Sequence, residues 1–314
     1  MPNFAYQKYL TTFVIAILGL FTLLYISGEY QPARYHALLC TDENAAPDGN
    51  WHHTYDGYFI GADGCLYNPE TTKITDVPPI IFFKQATDNM PIWYVNGINH
   101  RIEWVTLEMQ LLSRKAGQPV IGIYNATKGG RIIDAIATAK KNSKVADTLA
   151  AAVAQNAAKG NPILIRANSQ GALYTSQALE KALEALNMAF KDENFQTLVA
   201  KIQIETAAAA TAAFPPGPKY IHYVNEYDPI PKKVGVLSNQ AEQTKQNTQV
   251  QDTVIARFSD RDTDPIEPKY HWVGPLSKRF IRVHGFNTYL KHRQTFAELL
   301  QQSNEQASSF IDIP

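Results

Sequence analysis

The sequence predicts an α/β protein: a mostly parallel sheet with helices on both faces, preceded by an N-terminal hydrophobic helix. Two observations carry this expectation. From Pro91 onward, short apolar runs alternate with helix-length stretches, the rhythm of parallel strands joined by helical crossovers. Ahead of them, Leu10 to Ile26 holds no charge and is dominated by Phe, Val, Ile and Leu. The chain therefore divides into an apolar membrane anchor or signal segment over 1–30, an irregular β-rich extension over 31–90, and an α/β domain over 91–314.

As a helix, the apolar segment spans roughly 26 Å, slightly less than a ~30 Å hydrocarbon core. Tyr6, Tyr9, Tyr25 and Tyr30 flank it as interfacial aromatics do. Lys8 and the amino terminus precede it and Glu29 follows, which favours an amino end in the cytoplasm and the main domain on the extracytoplasmic side. A signal peptide cut near Ser27 or Gly28, which would leave a secreted protein, is the alternative, although no Ala-x-Ala site is evident. A buried core helix is a third reading. The chain has two cysteines, Cys40 and Cys65, both shortly after this segment, and in an exported protein such a pair is a disulfide candidate. Two buried thiols are the plainer alternative. The pair lacks the His/Cys array of a metal site, so no metal is expected.

Charge narrows the classes further. Lysine plus arginine equal aspartate plus glutamate, 29 each, and no basic stripe interleaves with aromatics, so nucleic acid is not an expected partner. With 45% hydrophobic and 18% charged residues, the 314-residue chain can bury a large core.

In order, residues 27–90 read as short strands and turns, one hairpin or two covering an edge of the main sheet. His52 and His53 are adjacent, so on a strand they face opposite sides and do not converge on a metal. Ile92–Val95 is a strand ending in Asn96-Gly97-Ile98-Asn99, followed by a helix from Ile102 to Ala116 that Gly117 stops. Pro119–Tyr124 is the next strand, and 131–158 holds one or two helices. The run Ile163–Ile165 is a strand bounded by Gly160, Asn161 and Pro162, and a helix from Ala172 to about Phe190 follows. Strands are expected at 200–205, 220–224 and 253–258, with an alanine run at Ala207–Ala210 between the first two. A final helix is expected from about Asn287 to Gln302. Asn239–Gln251, rich in Gln, Asn and Thr, reads as a surface loop.

One turn carries chemistry. Between the Ile163 strand and the Ala172 helix stands Ala167-Asn168-Ser169-Gln170-Gly171. A serine at such a corner is thrust out of the sheet, and small residues two positions either side keep the tight bend free of clashes. A serine needs an adjacent base, itself held by an acid. Asp228, in Glu226-Tyr227-Asp228-Pro229-Ile230 just beyond a strand, is the acid candidate, with Glu226 behind it. His284, ahead of Gly285 and the final helix, is the base candidate; His271 and then His292 are the alternatives. His222 lies inside a strand and reads as a core histidine.

These residues, in this order along about 210 positions from Pro91 to Gln302, resemble the α/β-hydrolases, and Ser-Gln-Gly-Ala resembles the lipase form of their nucleophile elbow. Ala167 departs from the usual glycine, and Asn96 stands where the family's oxyanion loop often has histidine. The resemblance implies a triad of Ser169, His284 and Asp228, with backbone amides of Ile98 (or Asn99) and Gln170 as oxyanion hole, and no cofactor. It implies a serine hydrolase cleaving carboxylic esters, with a lipase or phospholipase near a membrane foremost. Lipid or another ester would be the substrate partner, and the membrane would be met through residues 10–26. Two other functions fit the same residues: a catalytically inactive, membrane-tethered binding module of this fold, and a secreted lipolytic toxin. Phe214–Gly217 and the 259–283 loop are alternative candidates to shape a pocket.

Overall fold

Every strand that the alternating pattern marks ends up buried in one sheet. The computed structural model describes residues 55–83, 88–98, 100–126, 143–190, 193–238, 253–262 and 275–314. The apolar segment 10–26, Cys40, His52 and His53, Asn99, residues 131–142, the loop 239–251 and His271 lie outside them. Among the described residues no helix is long and apolar enough to cross a membrane.

The strands are β1 (Phe59–Ile60), β2 (Leu66–Tyr67), β3 (Ile92–Val95), β4 (Val120–Ile123), β5 (Ile163–Asn168), β6 (Ile202–Ala207), β7 (Lys219–Asn225), β8 (Thr253–Phe258) and β9 (Phe310–Asp312). They lie in the order β2-β1-β4-β3-β5-β6-β7-β8-β9. From β4 to β9 all neighbours are parallel; β1 is antiparallel to both β2 and β4, so a short hairpin extends the sheet at that edge. Cys65, next to this hairpin, is buried and among the described residues no thiol is free.

Helices cover both faces. On one face, α2 (Lys144–Ala157) and α3 (Gln170–Ala189) pack Val145, Leu149, Val153, Ala178 and Leu179 over Ile163, Ile165 and Ala167. Alanines at the contact let these two helices lie close, which suits the alanine-rich stretch they come from. On the other face, α1 (Ile102–Ala116) sets Ile102, Val105, Met109 and Leu112 against Ile92, Tyr94 and Val120. The 3.6-residue spacing of those side chains forms its inward stripe, and Gly117, at φ 65°, caps it. A short helix, α4 (Glu193–Val199), follows α3.

Beyond β7 come α5 (Pro229–Lys233), α6 (Pro275–His284), α7 (Phe286–Lys291) and α8 (Phe296–Gln306). The expected single helix from Asn287 is thus two, and part of the expected 259–283 loop is helix α6. The break falls at Arg293, whose guanidinium turns inward, and Thr295 restarts the helix with a capping box to Glu298. The strand β9 was not expected from the sequence.

Arg293 explains the break. On neighbouring strands, Arg166 and Glu205 stand side by side, both fully buried. Arg166 donates to Glu205 at 2.9 Å, and Arg293 clamps the same carboxylate with two bonds of 2.8 Å. Burial works to raise the Glu205 carboxyl, but the charges of Arg293 and Arg166 and their hydrogen bonds outweigh it and hold it below its ordinary value of 4.5. The unfolded chain takes a proton that the folded one refuses, so this stabilisation is present above that value and fades as pH falls below it. Because Arg166 still pairs Glu205 in its absence, Arg293→Met should cost what its charge-assisted bonds contribute, about 2–3 kcal/mol in urea unfolding at neutral pH. The gap to the wild type should narrow below about pH 4.5; equal midpoints at neutral pH would contradict the clamp.

Candidate active site

The carboxyl ends of parallel strands gather loops at one rim of a sheet, where ligands of such folds bind. Here β3 leads into Asn96 and Gly97, β4 into Asn125, β5 into Ser169 and β7 into Asp228. Ser169 sits between β5 and α3 with φ 51° and ψ −116°, one of three non-glycine residues at positive φ among those described. That conformation costs on the order of 1–3 kcal/mol and persists only where surroundings impose it. Backbone bonds do so: Ser169 N–H donates to Ala207 O at 2.8 Å, and Ser169 O accepts from Ala172 at 3.1 Å and Ala210 at 3.2 Å. The alanine run therefore backs the turn, and Ala208 and Ala209 are buried against it. Gly171 is required by close approach, since a Cβ there would lie 2.5 Å from Val95 O. Ala167 fits where glycine is usual because its methyl points into the α2–α3 cluster.

The three residues expected to work together do meet. Ser169 Oγ lies 2.9 Å from His284 Nε2, and His284 Nδ1 lies 2.7 Å from Asp228 Oδ2. An ionised carboxylate can only accept, so Nδ1 carries the proton and Nε2 is left to accept from the serine hydroxyl. Asp228 is fully buried, and neither oxygen is idle. Oδ1 accepts from Ile230 N–H at 2.9 Å as the cap of α5, with Pro229 at the first helical position. Oδ2 also accepts from Tyr289 OH at 2.7 Å. Burial, and then the Asp228 charge, push the Tyr289 phenol well above its ordinary value, so it stays protonated and keeps donating.

His284 ends α6, and its ring is stacked by Phe280 at 4.8 Å between centroids. Its placement depends on Asn225, the last residue of β7. The Asn225 amide donates to Val283 O at 3.0 Å and to Asp260 O at 2.7 Å, and its backbone N–H donates to Tyr289 OH at 3.1 Å. Sequence reasoning missed Asn225 and Tyr289. The only local trace of the first is its position at a strand end beside the acid loop; the second has none.

Around the serine, Gly97 packs so that a Cβ would lie 3.3 Å from Ser169 Cβ. Ile98 follows it, half-buried, and Gln170 is buried at the first position of α3. Two further asparagines, buried and missed as site residues, bond across this region. Asn96 Nδ2 donates to Gly97 O and to Asn125 O, both at 2.9 Å, while Asn96 Oδ1 accepts from Asn125 N–H at 2.9 Å. Asn125 Nδ2 donates to Gln170 Oε1 at 2.8 Å and, more weakly, to Asn96 O and Gly97 O.

The alternatives fall elsewhere. Glu226 accepts from Ser259 at the surface, and His292 pairs with Asp260 at 2.9 Å and stacks on Phe258. His222 is buried, bonded to Thr206 at 2.8 Å, and burial pushes its imidazole down to about 3, so it stays neutral. Among the described residues no group of three or more His, Cys, Asp and Glu is placed to hold a metal ion.

No protein-family model matches the chain, and no curated protein matches it in sequence. Among solved structures, the crystal structure of Aspergillus fumigatus lipase B is similar at a TM-score of 0.30 and 11% identity, a weak likeness. It covers 74% of this chain and 48% of that one, so the chain spans about half that lipase's length.

The crowding at Gly171 is open to direct test. Gly171→Ala forces a methyl against the β3 carbonyls and should lower stability by about 1–3 kcal/mol, read as a drop in thermal midpoint; an unchanged midpoint would show that the turn is looser than its geometry implies.

Proposed function

We propose that this protein is a serine hydrolase of the α/β-hydrolase type that cleaves carboxylic esters, foremost those of lipids. The observation that carries the reading is the unbroken hydrogen-bonded chain from Ser169 Oγ through His284 to Asp228. In this reading Ser169 Oγ attacks the ester carbonyl carbon while His284 Nε2 takes the hydroxyl proton. The carbonyl oxygen becomes an oxyanion that the backbone amides of Ile98 and Gln170 bind. As the tetrahedral intermediate collapses, His284 returns the proton to the departing alcohol and leaves an acyl-serine. Water, deprotonated by the same imidazole, then attacks the acyl carbon; the acid departs and Ser169 recovers its proton. Asp228 keeps the imidazole in the tautomer this sequence needs and stabilises it when it becomes charged. No cofactor enters these steps.

The preference for lipid rests on the Ser-Gln-Gly-Ala elbow and on the apolar segment 10–26, which would hold the site near a bilayer. Val234, exposed at the end of the short helix that Asp228 caps, adds apolar surface there. The catalytic domain would then lie on the extracytoplasmic side, with Cys40 and Cys65 joined as a disulfide.

Wild-type protein should turn over p-nitrophenyl esters and react with a fluorophosphonate probe. Ser169→Ala should abolish labelling, and Ser169→Ala or His284→Ala should cut kcat by at least about 10³-fold with the fold intact. Equal labelling of wild type and Ser169→Ala would end the hydrolase reading. The full chain should sediment with membranes and resist carbonate extraction, whereas a chain starting at residue 31 should be released; release of both would end the anchor reading.

A further inference from the structure

Asn96 and Asn125 are 0% and 3% exposed, and neither belongs to an apolar cluster. Buried amides carry a desolvation cost that their hydrogen bonds must offset. The bonds these two make run to each other, to Gly97 and to Gln170, all next to the Ser169 turn.

One of those acceptors has a directional consequence. A trans peptide holds its carbonyl oxygen and its amide hydrogen on opposite sides, and among the described residues no peptide is cis. Gly97 O accepts from Asn96 Nδ2 at 2.9 Å and from Asn125 Nδ2 at 3.3 Å. With its oxygen held on the asparagine side, the Gly97–Ile98 peptide must turn the Ile98 N–H away from them. A flip of this peptide would change ψ of Gly97 and φ of Ile98. Glycine has no Cβ to restrict its own ψ, so the orientation rests on the φ preference of Ile98 together with the hydrogen bonds to Gly97 O. A flipped peptide would present a carbonyl where a donor is needed. Asn125 also grips the side chain of Gln170, so one amide group ties together the two loops that carry the proposed donors.

We propose that Asn96 and Asn125 are positioning residues that hold the Gly97–Ile98 peptide with its N–H toward the oxygen on which negative charge develops. This rests on the reading of Ser169 as the nucleophile. The asparagines touch no reacting atom; they act through the peptide they orient. A preorganised donor matters most when the oxyanion forms, so its loss falls on kcat and on transition-state mimics rather than on ground-state binding.

The test is Asn125→Ala, with Asn96→Asp as a second variant that keeps the acceptor for Asn125 N–H and loses the amide that donates to Gly97 O and Asn125 O. Each is compared with wild type for kcat and KM on a p-nitrophenyl ester, and for inhibition by a trifluoromethyl ketone whose hemiketal oxyanion occupies the same place. Near-UV circular dichroism reports the fold. The expected result is a folded variant with kcat reduced about 10²-fold, KM within about threefold, and ketone affinity weakened in step with kcat. A folded variant with kcat within about threefold of wild type, or one in which only KM changes, overturns the proposal. Loss of the fold in both variants also overturns it, because a brace on one peptide leaves the sheet standing. Absence of Ser169-dependent turnover in the wild type would remove the hydrolase reading and this one together, an outcome distinct from an active wild type with indifferent asparagine variants.

Discussion

The site is built around a serine held where a serine does not wish to be. Left-handed φ at a residue with a Cβ is costly, and at Ser169 the surroundings supply what offsets it. The β5 strand, six residues long and fully buried, fixes the approach. The 20-residue helix α3, with its buried stripe of Ala178, Ala182, Leu183 and Leu186, fixes the departure. Between them, two backbone hydrogen bonds to Ala207 and Ala210 at the next connection, and a third from Ala172 in α3, leave the turn little room to relax. The strained turn in turn dictates its neighbours. Gly171 has to be a glycine, Ala207, Ala208 and Ala209 are buried beside the turn, and a Cβ on Gly97 would press on Ser169 at 3.3 Å.

Two buried carboxylates show how environment separates a structural acid from one suited to the proposed triad. Glu205 meets two guanidiniums, so its charge is neutralised permanently and in excess. Such a group locks elements together and has little capacity left to respond to a nearby charge. Asp228 meets a backbone N–H, a phenol and an imidazole, none of which carries a fixed positive charge. It is therefore the partner whose charge remains available to the imidazolium that the proposed reaction would form at His284. The arginine pair does its part at a distance, by pinning the joint between α7 and α8 to the sheet.

What the sequence made legible follows from where the signals are local. Strand runs, the Gly117 stop and the Ser169 bend each lie within a few residues of chain, and Asp228 and His284 announce themselves by standing just past a strand or just before a helix. The extents of β8 and of the 102–116 helix agree with expectation for the same reason. Asn125, Asn225 and Tyr289 were not legible, because a buried amide or phenol takes its meaning from partners 28 to 64 residues away. The single C-terminal helix was misread because an arginine in a helical pattern normally faces water. Only the buried Glu205 on β6 explains why Arg293 breaks the run. The three-residue β9 is too short to show a period at all.

The weakest physical link in this arrangement is the proposed base. Ser169 and Asp228 hang directly on sheet strands, while His284 ends a ten-residue helix followed by one of six. Helices this short are not stable alone, so the imidazole's position is wholly a product of tertiary contacts. Those contacts are Phe286 and Tyr289 in the core, the Asn225 amide on Val283, and the Arg293 clamp beyond. Each hydrogen bond contributes only about 0.5–1.5 kcal/mol net. Losing one leaves the sheet intact and yet shifts the balance between engaged and disengaged histidine by up to about tenfold. The proposed chemistry at Ser169 should then be more fragile than the fold, because the fold rests on the whole sheet and the chemistry on the one short segment that carries His284.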